Sequence, residues 1–241
     1  MTLKGKRVLV TGGARRIGAA IARNLAKEGC HLILHYHQSA REIQRLAREL
    51  RTGGLSVNTV QADLTQSEEV LLLASTVLKK GPIDILINNA SIYYPTPFKS
   101  LNEDTWDRFM QIHLKAPFFL SKALAGGMQR RGGRIINIAD QAGEQPYRDY
   151  LPYCVSKGAL LNLTRALARE LAPKVHVNSI SPGPILPPPW RSKKQMEGIR
   201  KRTPLQRWGG PEEIANAVVF LCVSDFITGT NLVIDGGFQL V

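Results

Sequence analysis

Apolar positions along the chain follow two alternating patterns. Short, mostly β-branched runs occupy residues 7–10, 31–35, 56–61, 83–88, 134–138, 175–180 and 231–234. Between them, at 18–28, 40–51, 67–79, 102–125, 152–171 and 211–222, apolar residues recur at helical spacing. The first pattern suits buried strands and the second suits amphipathic helices. Strands separated by helices predict a right-handedly wound parallel sheet with helices on both faces. The expected architecture is α/β: a single-domain Rossmann fold over residues 1–241, with a doubly wound seven-stranded parallel sheet. Such sheets bind ligands at the carboxyl ends of their strands, near the point where strand order reverses. The proline-rich stretch 182–189 reads as an ordered loop at that end, because helix- and strand-forming residues follow it.

Composition adjusts this picture only slightly. A hydrophobic content of 44% supplies a large core, and no long polar tract suggests disorder. The N-terminal residues lead straight into the first apolar run, so no secretory leader is expected. No run is long enough for a membrane span. Cys30, Cys154 and Cys222 are scattered and lack metal-ligand spacing. They read as reduced thiols of a cytoplasmic protein, with no metal site expected. Cys154 has no obvious base to make it a nucleophile. The net charge of +13 fits either nucleic acid or acidic small molecules. The basic residues are spread out, denser only at 191–194 and 200–202, and no recognition helix stands out. A small phosphate-bearing ligand is expected, with no nucleic-acid or membrane partner.

The first run leads into the glycine-rich segment 11–18 and then a helix. Gly12 lets backbone approach a pyrophosphate, and the helix start at Arg15, Arg16 and Ile17 offers N–H groups and a positive dipole end. After the second run come His35, Tyr36, His37, Ser39 and Arg41. No acid is present there to bind ribose hydroxyls, and Glu42 is too far along. Arg15, His37, Ser39 and Arg41 instead suit a 2′-phosphate, so NADPH is the expected cofactor. Asp63, followed by Leu64, either meets the adenine or caps the next helix. Asn88, Asn89, Ala90 and Ser91 end the fourth run, where small residues admit a cofactor and Asn side chains pin neighbouring strands.

Tyr153 and Lys157 are four residues apart and share one helical face. An ammonium beside a phenol lowers the phenol's pKa, which makes a usable proton donor. Thirteen residues before Tyr153 stands Asp140. A carbonyl reductase needs a donor for the developing alkoxide, whereas an ionised carboxylate only accepts and would oppose it. Reduction of a C=N bond ends with protonation at nitrogen and leaves no oxyanion. Asp140 therefore argues for C=N reduction, unless a loop insertion shifts the register and it merely caps the loop.

These motifs, in this order and at these spacings, resemble the short-chain dehydrogenase/reductase family over nearly the whole chain. The matching pieces are residues 11–18, Asn88 to Ala90, Tyr153-x-x-x-Lys157, Pro182-Gly183, Thr228-Gly229 and the Asp235-Gly-Gly run. Arg16 where most relatives have glycine, His35 to His37, Asn88 to Pro97 and Asp140 are similar to the pteridine reductase branch. The segments 110–113 and 171–179 are similar to its bacterial dihydromonapterin reductases.

The resemblance implies a cofactor bed of Gly12, Arg15, Arg16, Ile17, His35, Tyr36, His37, Ser39, Asp63, Leu64, Asn89, Ala90, Ser91, Lys157, Pro182 and Gly183. It implies a pterin site of Arg16, Ser91, Tyr93, Asp140, Tyr153, Leu186 and Trp190, with Tyr93 stacking on the ring. Leu186 and Trp190 either touch the ligand or pack. The segment 184–202 is expected to close over the substrate. His113 stands where most members carry an asparagine that supports a water in the proton path. A homotetramer is expected, joined through the helices holding His113 and Tyr153. Two other readings remain: an NADPH-dependent carbonyl reductase, for example on a 3-oxoacyl thioester, and a dinucleotide-binding regulator without turnover.

Overall fold

Seven strands form in a computed structural model that describes residues 2–51 and 54–241: β1 (Arg7–Val10), β2 (His31–Tyr36), β3 (Val57–Gln61), β4 (Ile85–Asn88), β5 (Gly133–Ile138), β6 (Val175–Pro182) and β7 (Asn231–Ile234). Residue 1, in the stretch expected to carry no leader, and residues 52–53 lie outside the described residues. The strands pair in parallel in the order β3-β2-β1-β4-β5-β6-β7. β1 pairs with β2 on one side and with β4 on the other, so chain order reverses there. The loops after β1 and β4 consequently diverge and open a crevice at their carboxyl ends.

Alternation along the central strands feeds two cores. Val8, Val10, Leu32, Leu34, Ile85 and Ile87 face one layer, while Leu9, Ile33, Leu86 and Ile135 face the other. The first layer is covered by α1 (Arg16–Lys27), α2 (Ala40–Arg51) and α8 (Pro211–Val223). The second is covered by α3 (Ser67–Leu78), α5 (Ala116–Arg131) and α6 (Leu151–Leu171). Each fully buried Leu or Ile in these layers contributes about 1.5–3 kcal/mol.

Two elements differ from expectation. The run 102–125 is not one helix: α4 (Glu103–Met110) passes into a π-helical turn, Gln111–Lys115, before α5. Pro117 has no N–H to return to the His113 carbonyl, so the regular ladder breaks there and the backbone takes the wider turn. The segment 184–202, expected as a loop, ends in α7 (Lys193–Arg202). Its start is a capping box: Ser192 Oγ accepts from Gln195 N–H at 3.2 Å, and Gln195 Oε1 accepts from Ser192 N–H at 2.9 Å. No residue of α7 is fully buried, which explains its weak apolar pattern.

Candidate active site

A cleft of about 870 Å³ opens at the carboxyl ends of the central strands. Its floor is the loop between β1 and α1. Gly12 sits at φ +62°, and a Cβ there would come within 2.9 Å of Ala90 Cα. A Cβ on Gly18 would come within 2.1 Å of the Gly12 carbonyl oxygen. Glycine is required at both positions, because no backbone shift short of moving the loop would make room. Asn89 Nδ2 donates to Thr11 O at 2.8 Å and to Gly12 O at 3.1 Å, tying the β4 loop to the β1 loop. The first N–H groups of α1 have no helical partner, and no acid occupies its first turn. That arrangement fits a pyrophosphate.

His35 supports this loop from beneath. Gly12 N–H donates to its Nδ1 at 3.1 Å, so the proton resides on Nε2, 2.9 Å from Ala62 O. Burial pushes the imidazole down to about 4. Its ring is neutral and both nitrogens are used within the protein. Arg15, His37 and Ser39 line the far end of the cleft beside Tyr36. Arg41 is absent from the lining. Glu42 does reach this end, 3.7 Å from Arg15, but both are exposed and such a pair is weak. Asp63 Oδ1 accepts from the Thr65 N–H and hydroxyl at 3.0 and 2.9 Å in a turn ahead of α3, whose N-cap is Gln66, so the expected capping role is not found; its Oδ2 lies 3.7 Å from His37. Leu64, Ala90, Ser91, Pro182 and Gly183 also line the cleft.

Asp140 follows β5 in extended backbone and caps the turn Gln141–Gly143, accepting from Ala142 N–H at 2.8 Å through Oδ1. α6 delivers the Tyr153 hydroxyl to Asp140 Oδ2 at 2.7 Å. The capping role and the partnership with Tyr153 thus coexist. One turn on, the Lys157 Nζ donates to Ile138 O at 2.8 Å and lies 5.7 Å from the Tyr153 ring centroid. Burial pushes Lys157 down to about 8. Burial also pushes Asp140 up, against the pull of the Ala142 N–H, Tyr153, Lys157 and Tyr147.

The expected depression of Tyr153 by Lys157 is not found. Burial and the neighbouring Asp140 carboxyl hold this phenol well above its ordinary value. Tyr153 is therefore a neutral hydroxyl bonded to an acid, placed to pass a proton rather than to ionise. The Asp140–Tyr153 pair is the proton-holding unit, with Lys157 as the cation beside it.

His113 is buried in the π turn. Ile92 N–H donates to its Nε2 at 3.2 Å, and the Ser91 hydroxyl lies 2.9 Å from the same nitrogen. Nδ1–H must then donate to Ser156 Oγ at 2.9 Å, and Ser156 in turn donates to Tyr153 O. Burial keeps His113 neutral. Its ring fixes α6 and the β4 loop and has no nitrogen to spare.

Aromatic rings wall the outer cleft. Tyr93 stacks on Tyr150 with centroids 4.7 Å apart and lies 6.0 Å from Trp190, with its edge toward Tyr153. Arg16 takes φ +52° and its Nη2 donates to Leu186 O at 3.0 Å, so it holds the substrate loop. Leu186 lines the cleft, whereas Trp190 reaches it through Tyr93.

Sequence reasoning missed Gln141, Tyr147 and Tyr150. Tyr147 Oη lies 3.4 Å from Asp140 Oδ1 and accepts from Gln141 Nε2 at 2.7 Å. Their only signal was an aromatic-rich stretch between Asp140 and Tyr153. Cys154 Sγ accepts from Tyr147 N–H at 3.2 Å, and burial raises its thiol pKa, so it is a packing group. Among the described residues no cluster of three or more His, Cys, Asp or Glu is placed to hold a metal ion, and no helix is long and apolar enough to cross a membrane.

Residues 12–239 match the family model described as enoyl-(acyl carrier protein) reductase. The human dehydrogenase/reductase SDR family member 4 is 36% identical, over 98% of this chain and 88% of its own. The Escherichia coli (strain K12) 5-keto-D-gluconate 5-reductase is 34% identical, over 98% and 96%. Among solved structures, FolM alternative dihydrofolate reductase 1 from Brucella canis, complexed with NADP, superposes with a TM-score of 0.94 at 35% identity, covering 100% of this chain and 96% of that one.

Proposed function

The chain belongs to the short-chain dehydrogenase/reductase family, and within it we propose an NADPH-dependent pteridine reductase that converts a dihydropterin, of the dihydrobiopterin or dihydromonapterin type, to the tetrahydropterin. One observation carries this reading: the Tyr153 hydroxyl is bonded to a buried carboxyl, Asp140, 2.7 Å away. In carbonyl reduction the carboxylate that Asp140 becomes on giving up its proton would stand beside a developing alkoxide and oppose it, whereas C=N reduction leaves no oxyanion. The likeness to the FolM structure, described as an alternative dihydrofolate reductase, supports the same direction.

NADPH, when bound, supplies the hydride. Arg15, His37 and Ser39 would hold its 2′-phosphate, and the start of α1 its pyrophosphate. Lys157 would bind the nicotinamide ribose and supply the positive charge beside the Asp140–Tyr153 pair. Arg16 would bridge cofactor phosphate and pterin, and Tyr93 would stack on the ring. Tyr153 passes its proton to the ring nitrogen next to the reduced carbon. Asp140 replaces that proton from its own carboxyl group. Its Oδ atoms also suit the amino and N–H edge of a pterin, which they would orient.

The name of one relative, 5-keto-D-gluconate 5-reductase, favours a second reading, carbonyl reduction. It requires Asp140 to be dispensable. Turnover by purified enzyme of dihydropterins against a 3-oxoacyl thioester and 5-ketogluconate, with Asp140→Ala alongside, separates the two. A non-catalytic role is disfavoured by the intact Tyr153, Lys157 and Asp140. The same proposal includes a homotetramer joined through the helices of His113 and Tyr153, where Leu151 and Val155 are exposed apolar residues on α6. It also includes a cytoplasmic location, in keeping with three unpaired cysteines.

A further inference from the structure

We propose that Tyr147 is a positioning residue for catalysis: its hydroxyl holds Asp140 Oδ1, so that Oδ2 stays turned to Tyr153. The proposal rests on the pteridine-reductase reading only in using Asp140 as the acid.

Three observations support it. Asp140 has two oxygens, and the structure divides them. Oδ2 receives Tyr153 at 2.7 Å, whereas Oδ1 receives the Ala142 N–H at 2.8 Å and faces the Tyr147 hydroxyl at 3.4 Å. Acid–base contacts are commonly long before substrate enters. Second, the Tyr147 hydroxyl is aimed. Gln141 Nε2 donates to it at 2.7 Å, so the phenolic proton is left for Oδ1. Third, Tyr147 is anchored at both ends. Its N–H is bonded to Cys154 Sγ on α6, one residue from Tyr153, and its ring meets Tyr150 edge-on at 6.3 Å. Gln141 is anchored too: it is almost wholly buried, and its Oε1 lies against Gly183 with no hydrogen-bond partner.

The consequence is a phenol on each side of one carboxyl group. Tyr153 faces the substrate. Tyr147 fixes the rotation of the carboxyl and, by donating to it, favours the ionised form. Its own proton is not in play, because burial and Asp140 push the Tyr147 phenol well above the neutral range. In turnover Asp140 gives its proton to Tyr153 and regains one from solvent through the cleft, while Tyr147 remains a hydrogen-bond donor.

The test is Tyr147→Phe, which removes the hydroxyl and keeps the ring. Steady-state kinetics across pH would use whichever substrate the wild type reduces. The Asp140 limb, where activity falls as pH rises, is identified by its disappearance in Asp140→Asn. We expect kcat about five- to tenfold lower, KM for NADPH unchanged, and that limb moved to higher pH by about half a unit or more, as one lost hydrogen bond to a carboxylate requires. An unmoved limb overturns the proposal, whether or not kcat falls. If Tyr147→Phe loses its thermal transition, Gln141→Met decides: it leaves the phenol but removes its orienting donor, and should move the limb the same way by less. Failure of the wild type to reduce dihydropterins would sink the pteridine reading alone, because the Asp140 titration and its rise in Tyr147→Phe can then be followed without turnover by carboxyl-carbon NMR of the labelled protein.

Discussion

Tyr153 and Asp140 meet at 2.7 Å, hydroxyl to Oδ2, and with this contact the tyrosine's pKa moves opposite to the expected direction. Four-residue spacing to Lys157 suggested a phenol primed to ionise. In the fold, burial and then the carboxyl beside it hold the phenol above its ordinary value. The proposed acid of the site is thus a pair, with Asp140 as its proton reservoir.

Lys157 is held at a cost to stability. Its folded pKa of about 8 lies below the ordinary 10.5, so folding disfavours its charged form. Below pH 8 both states carry the proton and the whole cost is present. Between 8 and 10.5 only the unfolded chain is protonated, so the cost fades as pH rises. Lys157→Met in the cofactor-free protein should raise stability at pH 7 by up to about 3 kcal/mol, less the lost bond to Ile138, while abolishing turnover. Urea unfolding at pH 7 and pH 10 checks this, and the two proteins should converge at the higher pH.

His35 carries the same sign into the acid range. Its folded pKa of about 4 lies below the ordinary 6.5. The unfolded chain binds a proton in that window and the folded one does not, so stability present above pH 6.5 is lost as pH falls toward 4. Thermal unfolding of His35→Gln, which cannot titrate, should decline less between pH 7 and 4.5 than that of the wild type. The largest difference is about 3 kcal/mol. NADPH affinity should also weaken, since Gly12 loses a fixed partner.

Arg16 combines a strained backbone with a loop clamp. At φ +52° a non-glycine residue pays about 1 kcal/mol. Arg16→Gly should therefore raise the melting temperature slightly, while loss of the contacts to Leu186 and Pro187 raises the substrate KM several-fold. An Arg16→Ala variant should share the kinetic defect without gaining stability. Melting curves and KM for both variants separate strain from clamp.

Cofactor choice is assigned to the end of β2. Arg15→Ala should raise KM for NADPH about tenfold and leave that for NADH nearly unchanged, the loss expected for one charged hydrogen bond. Equal effects on both cofactors would move Arg15 out of the 2′-phosphate site.

Much of this was legible in the sequence because the relevant signals are local. Strand β1 running into Gly12 and Gly18 fixes the cofactor end, and alternating apolar runs fix the sheet. Helix α7 escaped because it buries no residue fully, so its clearest mark was the Ser192–Gln195 box. The break at His113 escaped because the apolar spacing runs on through it; Pro117, four residues later, was the signal that could have found it. Tyr147 and Gln141 escaped because nothing in a sequence says that a turn will fold their side chains onto Asp140. Arg16 was legible as unusual, but its hold on the Leu186 carbonyl needs the loop to be in place.

The central claim is that Asp140 is the acid of a C=N reduction. The most direct measurement is NADPH oxidation at saturating dihydropterin by the wild type, Asp140→Asn and Tyr153→Phe. Asparagine can keep the bond to Tyr153 but has no proton to give. The account predicts dihydropterin turnover by the wild type, with kcat lower by about 100-fold or more in each variant. Turnover of a ketone alone, equally fast with Asp140→Asn, would contradict it.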